Sequence, residues 1–278
     1  MVLNQFKTAF LLALLAGIML GIGSFWGQNG LLIALVIAVV FNLGAYFFSD
    51  KIVLRMYKAN QIKKKDNEQL FDLVKEVSHK AQIPMPKVYV IQSSNPNAFA
   101  TGRNPKNASV AFTTAILDLL DKNELKGVIA HEISHVKNRD ILIATIAATI
   151  ATVISYIAFM ARFSAIFGIG GRDSNNNIVG LLIIGILTPI IAMLIQLAIS
   201  RSREFLADET GGKLIGNPKA LASALKKLHT GVKHHPMKKG STSTASLFIM
   251  NPFSMKGMTA WLSTHPPYQE RVKRLENM

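Results

Sequence analysis

Two histidines four residues apart enclose a glutamate in His131-Glu132-Ile133-Ser134-His135, within a stretch whose apolar residues fall at helical spacing. Residues four apart on a helix share a face, so both imidazoles can reach one cation. Glu132 projects about 100° from His131, beside such an ion. Two nitrogen ligands with a carboxylate alongside suit metal-assisted peptide hydrolysis, the carboxylate taking a proton from attacking water. A catalytic zinc generally has three protein ligands and an open fourth position. Arg203-Glu204-Phe205-Leu206-Ala207-Asp208 supplies the third candidate in Glu204. One turn on, Asp208 could accept the second N–H of a ligand histidine and so set its tautomer.

Glu204 follows His135 by 69 residues, so something must bring them together. The intervening chain holds two charge-free runs, Ile141 to Ala161 and Ile178 to Ser200, around a glycine- and asparagine-rich loop from Gly168 to Asn177. Each approaches the ~20 residues that cross a ~30 Å hydrocarbon core. An antiparallel hairpin of such spans returns the chain to the membrane face it left. At ~1.5 Å per helical residue, His135 then lies ~9 Å and Glu204 ~6 Å from the span ends. Pro189 falls inside the fourth run, which membrane helices tolerate better than soluble ones.

The N-terminus repeats the pattern. No charge falls between Lys7 and Asp50, and Gln28-Asn29-Gly30 divides this run into spans of residues 8–27 and 31–49. The first is too long for a signal-peptide core and lacks a convincing cleavage site. Half of the 278 residues are hydrophobic and 17% charged, with 31 Lys and Arg against 16 Asp and Glu, a net +15. That composition excludes a disordered chain. The absence of cysteine excludes a thiolate metal site and a cysteine nucleophile. Of the basic residues, 15 lie in 50–140 and 13 in 201–278, with Lys7 before the first span, while the loop between spans three and four has only Arg162 and Arg172. By the positive-inside rule both termini and both polar segments are cytoplasmic. The basic residues flank spans without a nucleic-acid reader motif, so no nucleic-acid partner is expected. A transporter would require charges within the spans, and there are none.

The chain therefore divides into an N-terminal hairpin (1–49), a polar segment with the histidine motif (50–140), a second hairpin (141–200) and a polar segment with the third ligand (201–278). Residues 50–83 read as amphipathic helix near the membrane, Lys87 to Gln92 and Ala108 to Thr114 as strands of a small sheet or hairpin. The motif helix starts near Asp121, a plausible N-cap. Arg201 to Ile215, Lys219 to His229 and Pro266 to Glu276 read as helices, and Lys233 to Ser246 as a mobile loop carrying solvent-exposed His234 and His235. His79 and His229 carry no partner signal. Asn97 to Gly102 joins the two strands, either as an ordinary loop or as an exposed edge for an extended peptide. His265 suits a helix cap or, with Arg271, the stabilisation of an oxyanion.

These motifs, together with Ser202-Arg203-Glu204, Ala207-Asp208, Asn97-Ala98-Phe99-Ala100-Thr101-Gly102 and Ser263-Thr264-His265-Pro266-Pro267, resemble those of the HtpX family of bacterial membrane metalloproteases, relatives of the CAAX prenyl proteases. The likeness covers almost the whole chain. It implies a mainly α integral membrane protein, with four transmembrane helices and a cytoplasmic gluzincin-type, zincin-like catalytic domain containing a small β-sheet. It also implies one zinc ion on His131, His135 and Glu204, with Glu132 as base, and Asn97, Ala98, Phe99 and Ala100 bordering the substrate cleft. His265 and Arg271 would lie near the scissile carbonyl. The activity implied is a stress-response endopeptidase of the inner membrane, degrading misfolded or damaged membrane proteins at the bilayer's cytoplasmic face. Self-cleavage is a further trait of the family.

Overall fold

The structure, a computed structural model, describes residues 27–140, 203–237, 242–253 and 266–278. Helix α1 (Gly27–Met56) leads to β1 (Asn60–Gln61), α2 (Glu68–Ala81), β2 (Lys87–Ile91), β3 (Ala98–Gly102) and β4 (Ala108–Thr113). There follow α3 (Thr114–Leu119), α4 (Lys122–Asn138), α5 over 203–215, α6 (Pro218–His234) and α7 (Tyr268–Glu276).

The first predicted span, but for residue 27, and the third and fourth lie outside the described residues. The second lies within α1, whose 30 residues extend about 45 Å. Among the described residues no helix is long and apolar enough to cross a membrane. The α1 sequence itself carries no charge before Asp50, and Leu32, Ile33, Val36, Val40 and Leu43 are exposed along it. The expected continuous amphipathic segment over 50–83 is corrected. Helix α1 continues to Met56, Lys58 takes a left-handed conformation (φ 51°), and β1 intervenes. The next helix begins where the Asn67 side chain caps the N–H of Leu70 at 2.9 Å.

The sheet runs β1-β2-β4-β3. Strands β2 and β4 are parallel, from Lys87↔Ser109 to Ile91↔Thr113, whereas β3 and β4 are antiparallel, from Ala98↔Phe112 to Gly102↔Ala108. This corrects the hairpin alternative: the chain crosses from β2 to the far edge, forms β3 and returns through a 3₁₀ turn (Pro105–Asn107) into the middle. It also corrects the loop reading of Asn97 to Gly102, since Ala98–Gly102 is a fully buried strand. Its alanines and single aromatic give little alternation, and strand geometry comes from pairing with β4.

Strand side chains alternate between faces. Val88, Val110 and Phe112 join Leu70, Val74 and Val77 of α2, Val128, Ile129 and Ile133 of α4, and Leu221 and Leu225 of α6 in the main core. On the other face, Ile91, Phe99 and Ala111 meet Val53, Leu54 and Tyr57 at the foot of α1 and Leu247 and Phe248. The catalytic-motif helix and the long apolar helix thus pack on opposite faces of one sheet. Helix α5 packs closely on α4 at Gly211, where a Cβ would stand 3.0 Å from the backbone nitrogen of His131. Glycine there lets two helix backbones approach directly behind His131.

Candidate metal centre

Helix α4 starts at a capping box. Asp121 Oδ1 accepts from the N–H groups of Asn123 (2.8 Å) and Glu124 (3.0 Å), and Glu124 Oε2 accepts from that of Asp121 (3.0 Å). Glu124 is itself buried and also accepts from Ser223 Oγ and Lys227 Nζ, both at 2.7 Å, which ties α4 to α6. Glu124 of the capping box thus also serves helix packing, beside the expected cap at Asp121. At the other end Arg139 turns left-handed (φ 59°) and its N–H caps His135 and Val136. That turn brings Asp140 back to His135.

His131 and His135 place their Nε2 atoms 3.2 Å apart. The Glu204 oxygens stand 3.3 Å from His135 Nε2 and 3.7 Å from His131 Nε2. Ligand atoms at ~2.0–2.2 Å around a tetrahedral zinc stand about 3.3–3.6 Å apart, so the three donors fit one such ion. A carboxylate and two imidazole nitrogens turned toward one point are also the donor chemistry such a cation takes. Among the described residues these three form the one cluster able to hold a metal.

Each histidine has its own acid. Asp208 Oδ1 lies 2.9 Å from His131 Nδ1, and Asp140 Oδ2 lies 3.4 Å from His135 Nδ1. Accepting a proton from Nδ1 leaves the Nε2 lone pair for a metal. Burial lowers the His131 pKa below the ordinary imidazole value. Burial also opposes protonation of His135, but the hydrogen bonds with Asp140 and Glu204 outweigh it and push that pKa up to about 10. Metal-free protein at neutral pH should therefore hold a proton on His135 that a metal must displace. Metal uptake near pH 7 should release at least one proton, with affinity rising as pH climbs toward 10. Calorimetric titrations in buffers of different ionisation enthalpy measure this, and buffer-independent heats would contradict it.

Glu132 is buried, and its Oε1 has no hydrogen-bond partner among the described residues. The Ala100 N–H donates to its carboxylate, linking Glu132 to β3. Burial, reinforced by the Glu204 charge, pushes the Glu132 carboxyl up to about 8. A carboxyl shifted so far exchanges its proton near neutral pH.

Arg271 is fully buried behind the ligands. Its Nε and Nη2 each donate at 2.8 Å to the two oxygens of Asp208, and Nη1 donates at 2.8 Å to the Ile249 carbonyl. Nη1 also lies 3.3 Å from Glu204 Oε2. The guanidinium thus orients the acid of His131 and the third ligand together. His265 lies outside the described residues. His79, His234 and His235 are exposed, and His229 stacks on Tyr268 with ring centroids 3.8 Å apart.

The cleft over these residues is walled by Ala100 and by Ser246, Leu247, Phe248 and Ile249, and encloses ≈ 20 Å³, about one water. The segment carrying that second wall lies along the outer edge of β3. Ile249 N–H donates to the Ala98 carbonyl at 3.0 Å, and Phe99 and Phe248 form an antiparallel bridge. Asn97 Nδ2 donates to the Met250 carbonyl at 2.8 Å. Asn97, Ala98 and Phe99 thus hold the second wall, and Ala100 lines the cleft itself. A larger cavity of ≈ 690 Å³ lies between α5 and α7, where Lys213 pairs with Glu209 and Arg274 with Glu270. It contains none of the metal-site ligands.

Asp140 and Arg203 escaped the sequence reading as site residues. Both also line the cleft. Asp140 had one available signal, an acid five residues after His135 at the start of a charge-free run.

The profile of Peptidase family M48 matches residues 64–278. The chain is 50% identical over 281 residues to a "Protease HtpX homolog" of Syntrophobacter fumaroxidans, covering 99% of each. It is 46% identical over 275 residues to a protein of the same name from Thermococcus kodakarensis, covering 98% of this chain and 95% of that one. Among solved structures, S. mikatae Ste24p aligns with a TM-score of 0.56 at 20% identity, over 99% of this chain and 66% of that chain.

Proposed function

Since the chain belongs to peptidase family M48 and to its HtpX proteases, we propose that it is a membrane-embedded zinc metalloendopeptidase acting at the cytoplasmic face of the cytoplasmic membrane. Its substrates are misfolded or damaged membrane proteins presented as extended peptides. The observation that carries this reading is the convergence of His131 Nε2, His135 Nε2 and the Glu204 carboxylate beside the unpartnered Oε1 of Glu132.

His131, His135 and Glu204 hold the zinc, which when bound polarises the peptide carbonyl and acidifies water. Asp208 and Asp140 keep both Nδ1 atoms protonated, so that each imidazole presents Nε2. Arg271 holds Asp208 and Glu204 in place. Glu132 takes a proton from the attacking water and returns it to the leaving amine as the C–N bond breaks. Ala100 keeps that carboxylate aimed into the cleft. The wall of Ser246 to Ile249 must yield before a peptide can enter a space of ≈ 20 Å³.

Metal content and casein cleavage test the reading on full-length protein in detergent. Wild type should bind one zinc per chain, lose cleavage to a chelator and recover it on zinc addition. Glu204→Ala should lose both metal and activity. Full metal content in that variant would remove Glu204 from the ligand set.

The charge-free runs give spans at 8–27, 31–49, 141–161 and 178–200, and the distribution of basic residues orients them. Reporter fusions at residues 60 and 170 should report opposite sides of the membrane, with residue 60 cytoplasmic. Fusions reporting one side would overturn the four-span arrangement.

A further inference from the structure

Peptide hydrolysis builds negative charge on the former carbonyl oxygen, and a preorganised donor aimed there contributes strongly to rate. Arg271, the cation expected in that role, is enclosed by Asp208, Glu204 and the Ile249 carbonyl. Among the described residues, the cation that lines the cleft with His131, Glu132, His135 and Glu204 is Arg203.

Arg203 precedes the third ligand on α5, so its backbone is placed by the helix that places Glu204. Nη1 donates to the Asp140 carbonyl at 3.2 Å, which anchors one end of the guanidinium beside the acid of His135. Nε is buried and has no acceptor among the described residues. Buried donors in folded proteins nearly always have partners, so an orphan calls for an explanation. The same cleft contains an orphan of the opposite kind, Glu132 Oε1. Arg203, holding a donor without an acceptor, and Glu132, holding an acceptor without a donor, both line one small space and fit the two polar ends of a hydrolytic transition state. Water meets Glu132, and the oxygen gaining charge meets Arg203.

We propose that Arg203 is a catalytic residue, donating from its guanidinium to the oxyanion formed when water adds to the scissile carbonyl. In that step the C–O bond to water forms, the carbonyl π pair moves onto oxygen, and the water proton passes to Glu132. Collapse re-forms the carbonyl, breaks C–N and delivers the proton to nitrogen. Arg203 keeps its own protons throughout. The inference rests on the metalloprotease reading above.

The test uses full-length protein in detergent, with wild type, Arg203→Gln, Arg203→Lys and Glu132→Gln in parallel. Zinc content, kcat and KM on an internally quenched peptide, and inhibition by a phosphinic peptide of the same sequence are measured. Arg203→Gln should keep its zinc, lose about a hundredfold in kcat and change KM by less than about twofold. Its phosphinic-peptide Ki should weaken in proportion to the fall in kcat/KM, because that group mimics the tetrahedral oxyanion. Arg203→Lys should recover part of the loss through its charge. Unchanged kcat, a rise confined to KM, or loss of zinc in both Arg203 variants would overturn the assignment. Failure of wild type to hydrolyse the peptide, or full turnover by Glu132→Gln, would instead defeat the underlying protease reading.

Discussion

Glu132→Gln is expected to retain zinc and lose peptide hydrolysis, with kcat falling by a factor of about 10⁴. The amide nearly preserves the side chain's volume, so the buried position beside Ala100 should remain filled. What disappears is the ability to take a proton from water and return it to the amine. Glu132 is not one of the three converging donors, which are His131, His135 and Glu204. Metal content should therefore stay at the wild-type level while turnover collapses. Elemental analysis and steady-state kinetics on the same preparation separate the two effects. Normal turnover in the zinc-loaded variant would remove Glu132 from the mechanism, and lost zinc would recast it as a ligand or an essential support.

Arg271→Met carries the largest expected effect on stability. The guanidinium is fully buried, with both oxygens of Asp208 and one of Glu204 as partners. Deleting one member of a buried charge network leaves the others desolvated and unpaired, at a cost of about 3–5 kcal/mol. The Ile249 carbonyl also loses its donor, loosening the second wall of the cleft. Metal affinity should fall as well, because Asp208 and Glu204 both lose their orienting partner. Equilibrium unfolding of the zinc-free protein in detergent reads the stability term, and a zinc titration reads the affinity. A residue acting only on bound substrate would leave both unchanged while lowering turnover. That outcome would return Arg271 to the substrate side of the cleft.

Arg203 and Arg271 illustrate how residue type underdetermines function. Both are arginines in motifs around the metal site, Arg271 paired with carboxylates and Arg203 bonded to the Asp140 carbonyl. Arg271 is enclosed on every side, whereas Arg203 retains a buried donor without an acceptor. Only their positions in three dimensions assign one to support and the other to the reacting oxygen.

The His131–His135 pair was legible because its geometry is local: the α-helical repeat alone puts residues four apart on one face. The Asp121 cap and the strand at Lys87–Ile91 were legible for the same reason, since their signals lie within a few residues. Glu204 is the exception among long-range pairings, because the charge-free runs between it and His135 lead a sequence reading to expect the chain to return where it left. The other pairings depend on how distant elements pack. Asp208 meets His131 because Gly211 lets α5 lie against α4, and Asp140 meets His135 because Arg139 turns left-handed. Ala98–Gly102 becomes a strand because β4 offers it an edge, not because its composition alternates. Residue types and helical spacing were enough to point to His131, Glu132 and His135 as parts of one site. Which acid serves which histidine, which arginine is enclosed and what walls the cleft followed from packing between segments far apart in the chain, where no local periodicity reaches.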